Sequence, residues 1–127
     1  MVAEDSPDNR LLLELYMTSG HHSLTFVENG WEAVGQIAAG EFDLVLMDLQ
    51  MPVMDGLTAT RAVRAMELEK GSRAVPILAL SANARPEDIE SSLEAGCTEH
   101  LSKPISKRRL LAALDEYAQA LPAGKLS

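Results

Sequence analysis

The chain has a single cysteine, Cys97, among 127 residues. One thiol cannot close an internal disulfide, which excludes a small stapled scaffold and points to a reducing cytosol. Its simplest reading is a small buried hydrophobe rather than a nucleophile. Long apolar runs are missing too: none approaches the roughly 18–20 residues of a membrane span, and no basic segment followed by an apolar one opens the chain. Positive charge is scarce, with 11 Lys and Arg against 19 Asp and Glu and a formal net charge of −8. Without a basic face, direct binding to nucleic acid is disfavoured. The acidic balance suits a divalent cation, a basic partner or plain solubility. Repeats and low-complexity stretches are also absent.

The composition that remains is 46% hydrophobic, enough for one domain with its own core. That domain is read over residues 1–121, with 122–127 as a tail or linker. Phe42 to Met47 is a nearly continuous apolar run ending in Asp48, and Val75 to Leu80 is another ending in Ser81. Short runs of this kind suit strands buried on both faces of a parallel sheet. Ser23 to Glu28 reads as a strand with a wetter face, Thr98 to Ser102 as an edge strand, and Met1 to Ala3 as a first strand cut short. Helical stripes alternate with them. Pro7 fits a first turn ahead of Leu12, Leu15 and Tyr16. Trp31, Val34, Ile37 and Ala38 form a stripe closed by Gly40. Asp55 and Gly56 open a helix bearing Ala59, Val63 and Met66. Pro86, Glu87 and Asp88 open another, closed by Gly96, with only Ile89 and Leu93 as large anchors. Leu110, Leu111, Leu114, Ala118 and Leu121 form the last stripe. Five strands alternating with five helices predict an α/β fold, a doubly wound five-stranded parallel sheet with helices on both faces. The thinly anchored fourth helix is expected to be weakly held.

In such a sheet, ligands bind at the carboxyl ends of the strands. Glu4, Asp5, Asp48, Ser81 and Lys103 all follow an apolar run and converge there. Three carboxylates that close repel one another and resist ionising together. Mg²⁺ would relieve the repulsion, since it takes oxygen ligands and keeps waters and phosphate in its shell. Alternatively, Glu4 and Asp5 cap a helix, Ser81 caps a turn and Lys103 is a solvated charge. The Lys103–Pro104 bond can be cis, which would direct the lysine side chain.

The segments Ala3 to Asn9, Leu46 to Gly56, Leu80 to Ala84 and Leu101 to Ile105 resemble the receiver domain of two-component response regulators, over nearly the whole chain. The wording of Met47 to Gly56, Leu80 to Ala84 and Leu101 to Ile105 is most similar to receivers of hybrid sensor histidine kinases. The resemblance implies a flavodoxin-like strand order 2-1-3-4-5 and a signalling switch rather than a metabolic enzyme, although such domains help catalyse their own phosphorylation and dephosphorylation. By that resemblance, Asp48 accepts a phosphoryl group from a phosphohistidine of a histidine kinase or histidine phosphotransfer protein. Asp5 binds Mg²⁺ directly, Glu4 through water, and the Gln50 backbone carbonyl adds a ligand. Lys103 pairs with the phosphoryl oxygens, Ser81 moves toward them, and the Gln50 and Asn83 side chains tune the lifetime of the phosphoryl group. The partner surface is the fourth helix, fifth strand and fifth helix. The implied location is the cytoplasm, including the cytoplasmic part of a membrane-bound sensor kinase.

Two features depart from the family pattern. His100 stands where receivers usually carry Tyr or Phe, and it is either an exposed edge-strand histidine or a switch residue biased by protonation. The first strand is short, so the expectation is a truncated piece of a longer protein, and upstream residues should raise the melting temperature. Rival readings are a phosphatase of the haloacid dehalogenase type, a flavin-binding module and a degenerate receiver that only binds partners. Gln50 stands where the phosphatase needs a second Asp, Glu4 and Asp5 would repel a flavin phosphate, and retention of Asp5, Asp48, Ser81 and Lys103 argues against degeneracy.

Overall fold

The structure, a computed structural model, describes residues 1–17, 25–40, 42–51, 53–82 and 85–119. Its elements are β1 (Val2–Ala3), α1 (Pro7–Met17), β2 (Phe26–Val27), α2 (Gly30–Ala39), β3 (Val45–Asp48), α3 (Gly56–Lys70), β4 (Ile77–Ser81), α4 (Pro86–Ala95), β5 (Glu99–Ser102) and α5 (Lys107–Gln119). All the strand pairs are parallel, and the sheet order is β2-β1-β3-β4-β5. Fold class, strand order and the alternation of strands and helices are those expected.

Alternate residues of the central strands face opposite layers, as a pleated strand requires. Val45, Met47, Ile77 and Ala79 join Ala33, Ala59 and Val63 on the side of α2 and α3. Leu46, Leu78 and Leu80 join Leu13, Leu110 and Ala113 on the side of α1 and α5. Both layers are dry: Leu46, Met47, Ile77, Leu78 and Leu80 are essentially fully buried. Cys97 is buried with a free thiol, and burial pushes its pKa up, in line with a packing role.

Three helical stripes sit differently from expectation. On α1 the inward anchor is Leu13, while Leu15 is exposed. On α2 the buried face starts from Gly30 and Ala33, leaving Trp31 68% exposed and Ala38 at the surface. On α4 the inward residues are the small Ser92 and Ala95, and Leu93 is 47% exposed. On α2 and α4 small residues allow close approach to a neighbour, whereas reading only large apolar side chains rotates the face. Gly40 and Gly96 close α2 and α4 as expected. Strand ends also shift. Only Phe26–Val27 of the second predicted strand is β, with residues 23 and 24 outside the described set. The fifth strand begins at Glu99 because Thr98 Oγ1 accepts from the Ile77 amide at 3.0 Å. Leu121 and the tail 122–127 lie outside the described residues.

The first strand is short, as expected, yet it is fully engaged. Val2 pairs with Phe26 and Leu46, and Ala3 with Val27 and Met47. The Met1 ammonium donates to the Leu44 carbonyl at 2.9 Å, and Leu46 N donates to the Met1 carbonyl. Burial pulls the pKa of this amine down to about 6, partly offset by nearby Asp43.

Candidate functional site

β1 and β3 are hydrogen-bonded neighbours, so their carboxyl ends bring Glu4, Asp5 and Asp48 to one rim. The three carboxylates each offer an oxygen, all within 4.8 Å of one another. Glu4 and Asp48 are buried, while Asp5 is exposed. Lys103, just after β5, reaches across the end of β4 and bridges the two buried acids. Its Nζ lies 3.0 Å from Asp48 Oδ2 and 3.1 Å from Glu4 Oε1. The main chains supporting the lysine and the serine are joined, because Lys103 N donates to the Ser81 carbonyl at 2.8 Å. Ser81 is itself buried at the end of β4. The Lys103–Pro104 peptide bond is cis.

The acids are not equally satisfied. Asp48 Oδ1 accepts from the Gln50 amide at 3.0 Å, and Oδ2 faces Lys103. Glu4 Oε2 receives only a long 3.4 Å contact from the Ser6 amide. Glu4 Oε1 is buried and makes no hydrogen bond; Lys103 Nζ faces it as an ion-pair partner at 3.1 Å. Burial, reinforced by Asp48 and opposed by Lys103, raises the Glu4 pKa to about 7. For Lys103, burial acts to lower the pKa, but the Asp48 and Glu4 carboxylates outweigh it and the ammonium is held above its ordinary value. Two buried acids sharing one cation leave an excess of negative charge and an orphaned oxygen. That hard-oxygen donor set fits a divalent cation of the Mg²⁺ class.

The loop between β3 and α3 is folded tightly under Asp48. Leu49 N donates to the Leu80 carbonyl and Gly56 N to the Leu49 carbonyl. A Cβ on Gly56 would stand 2.4 Å from the Asp48 carbonyl oxygen, so only glycine lets α3 start against the strand end. Asp55 caps α3 by accepting from Thr58 N at 2.9 Å. Val53 has φ of 68° and is 83% exposed, a left-handed conformation that is costly for a β-branched residue.

β5 is an edge strand as expected, but His100 on it is half-buried rather than exposed, which corrects the exposed reading of that histidine. Its Nδ1 lies 2.9 Å from Ser92 Oγ, which in turn donates to the Ile89 carbonyl at 2.8 Å. The preceding Glu99 turns the other way, accepting from Arg109 at 2.6 Å and from the Tyr117 hydroxyl of α5. Thus β5 is tied to α4 through His100 and to α5 through Glu99. Asn83 lies outside the described residues. Sequence reasoning missed Ser92 and Gly30. A serine eight residues before His100 carries no periodic signal, whereas the Asn29–Gly30 pair could have been read as a helix start that demands close approach, as Asp55–Gly56 was read as the opening of α3.

The receiver domain of response regulators is the family whose description matches residues 1–115. The chain belongs to that family. It is 42% identical over 110 residues to the sensor protein GacS of Pseudomonas syringae pv. syringae, covering 87% of this chain and 12% of that protein. It is 38% identical over 124 residues to the two-component response regulator ORR41 of Oryza sativa subsp. japonica, covering 94% of each. The chain therefore spans a small part of the sensor kinase it matches and nearly all of the rice regulator. Among solved structures, the receiver domain of the sensor histidine kinase PA1611 from Pseudomonas aeruginosa PAO1 carries a magnesium ion coordinated in its active-site cleft. This receiver shares 37% identity with it at a TM-score of 0.81, over 91% of this chain and 93% of that one. The co-crystal structure of the Saccharomyces cerevisiae histidine phosphotransfer protein Ypd1 and the receiver domain of its downstream regulator Ssk1 matches with 32% identity and a TM-score of 0.89, over 96% and 90%. Among the described residues, no helix is long and apolar enough to cross a membrane.

Proposed function

We propose that this receiver is a phosphoacceptor switch in which Asp48 takes a phosphoryl group from a phosphohistidine. The observation that carries the reading is the juxtaposition of three carboxylates within 4.8 Å and a lysine 3.0 Å from Asp48 Oδ2. A carboxylate oxygen of Asp48 forms the new bond to phosphorus as the phosphorus–nitrogen bond of the donor breaks, and the imidazole leaves with that electron pair. The Gln50 amide holds Asp48 in place through Oδ1. Lys103 offers fixed positive charge to the phosphoryl oxygens. Glu4, Asp5, Asp48 and the Gln50 carbonyl would hold Mg²⁺, which supplies charge neutralisation to the transferring group. Hydrolysis by water returns the free Asp48 carboxylate, a self-catalysed reset, and the Gln50 and Asn83 side chains tune its rate.

The donor is a histidine kinase or a histidine phosphotransfer protein, supported by the likeness to the receiver solved with Ypd1 and to GacS. Phosphorylation adds roughly −1.5 to −2 charge and strong acceptor oxygens. Those acceptors draw on the Ser81 hydroxyl and Lys103, whose loops are already joined. The response passes to α4, β5 and α5, where α4 presents an exposed Leu93 and its buried residues are the small Ser92 and Ala95. The His100–Ser92 contact links β5 to that helix, so His100 belongs with the switching groups. The shift is bounded by the differential contacts of the phosphoryl group in the two packings.

The test is incubation with Mg²⁺ and acetyl phosphate followed by intact mass measurement. One added phosphoryl group is expected, and it should vanish both in Asp48→Asn and on chelation of the metal. A folded wild-type protein that gains no mass would overturn the reading in favour of a domain that only binds partners.

A further inference from the structure

The first turn of α2 is built directly against the loop that carries the phosphoacceptor. Gly30 N donates to the Met54 carbonyl at 2.8 Å. A Cβ on Gly30 would lie 2.4 Å from that same carbonyl oxygen, 3.0 Å from the Asp55 oxygen and 3.0 Å from Ala59 Cβ. Two of these three neighbours are backbone atoms, which cannot swing aside as a flexible side chain would. The far end of the same loop is pinned, because Gly56 packs on the Asp48 carbonyl and donates to Leu49. Gln50 lies between these fixed points, with its amide on Asp48 Oδ1. Displacement at Met54 and Asp55 is therefore passed to the adjoining Gly56, whose contacts are the backbones of Asp48 and Leu49, next to Gln50. Asn29 keeps α2 at this station independently, by accepting from Glu32 N at 2.8 Å as the helix cap.

We propose that Gly30 is a positioning residue for the phosphoacceptor loop: its missing side chain and its amide seat Met54 so that Gln50, whose amide holds Asp48 Oδ1, stays in place beside the site that would take the cation. The inference rests on the proposed phosphoacceptor reading and adds a residue of a different element, outside the rim of acids, to what that reading needs. Supporting groups that orient metal ligands typically change affinity 10–100-fold when removed.

The experiment compares Gly30→Ala and Asn29→Ala with wild type in the full chain, using magnesium chloride in isothermal titration calorimetry and acetyl phosphate in a phosphorylation time course. Gly30→Ala is expected to weaken Mg²⁺ roughly ten-fold and to slow phosphorylation at subsaturating Mg²⁺, with much of the rate recovered at saturation. Asn29→Ala loosens α2 without intruding on Met54, so its Mg²⁺ affinity should stay within about two-fold of wild type even where its melting temperature falls as far. A folded Gly30→Ala protein with wild-type Mg²⁺ affinity overturns the proposal, as does an Asn29→Ala protein that weakens Mg²⁺ equally, because the effect would then be general loosening. If Gly30→Ala does not fold, the amide resonances of Gly30 and Gly56 in wild type decide: shifts on Mg²⁺ addition support the coupling, and a stationary Gly30 resonance overturns it. A wild-type protein that binds no Mg²⁺ and gains no phosphoryl group removes the underlying function itself, an outcome distinct from a competent wild type matched by Gly30→Ala.

Discussion

The two buried carboxylates that face Lys103 end neighbouring strands of unlike build. Asp48 completes β3, four consecutive buried residues hydrogen-bonded on both sides. It also has a backbone amide on one oxygen and an ammonium on the other. Glu4 follows β1, which has two residues and begins beside a buried amine. One of its oxygens has no hydrogen bond and the other has a long one. Strand packing thus fixes Asp48 before any ligand arrives, while Glu4 is held mainly by charge. In the proposed switch the group that attacks phosphorus has to be in place for in-line attack, whereas a group proposed to bind the cation can be drawn in by it, so the firmer strand would lie under the group with the stricter geometric demand.

The contrast is sharpest between Leu46 and Val2, which are register partners on the same face of the sheet. Leu46→Ala should cost about 2–5 kcal/mol, as for other fully buried leucines. Val2→Ala removes less apolar bulk and should cost about 2 kcal/mol. Chemical denaturation measures both. Equal losses would mean that β1 is packed as tightly as β3 and would break the comparison.

The amine at the start of β1 predicts a pH effect of similar size. Its pKa is about 6 when folded against an ordinary 8.0 for an exposed terminal amine. Between those values the unfolded chain binds the extra proton, so stability rises with pH from 6 to 8 and is lost as pH falls through the folded value. Two pKa units correspond to about 2.7 kcal/mol at most. Acetylating the Met1 amine should flatten this part of the stability profile. A profile unchanged by acetylation would show that the amine does not stay buried.

Most of the fold was legible before the structure, for a physical reason: parallel strands buried on both faces leave continuous apolar runs, and the alternation with helical stripes admits few topologies. The rim of the site was legible because strand ends are marked by the last apolar residue, which places Asp48, Ser81 and Lys103 directly. The helix faces were less so. Trp31, Leu15 and Leu93 are large and apolar yet exposed, because α1 turns Leu13 inward, α2 docks through Gly30 and Ala33, and α4 through Ser92 and Ala95. Small residues carry little hydrophobic signal, although close backbone approach depends on them. The partner of His100 was hidden for the same reason: a buried serine in mid-helix reads as polar surface until the tertiary contact with β5 is seen.

The smallest expected effect bears most directly on the β1 side of the site. The Glu4 pKa is raised to about 7 from 4.5. Between those values the folded state holds the extra proton, so this group's contribution to stability is complete below about 4.5 and is lost as pH rises through 7, opposite in sign to the amine. Glu4→Gln removes that titration and one of two crowded buried acids, and its amide oxygen can face Lys103 while its NH2 donates toward Asp48. At pH 8 without metal the variant should therefore be more stable than wild type by about 1 kcal/mol, of the order set by relieving one unsatisfied buried group, and the difference should shrink toward pH 5. Adding Mg²⁺ should reverse the ranking, since wild type gains the larger binding stabilisation. Thermal melts of both proteins at pH 5 and 8, with and without Mg²⁺, check all four corners. If Glu4→Gln is less stable than wild type at pH 8 without metal, the Lys103 ion pair outweighs the crowding of the two acids. Glu4 would then be anchored as firmly as Asp48, and the asymmetry between β1 and β3 would lie in strand length alone.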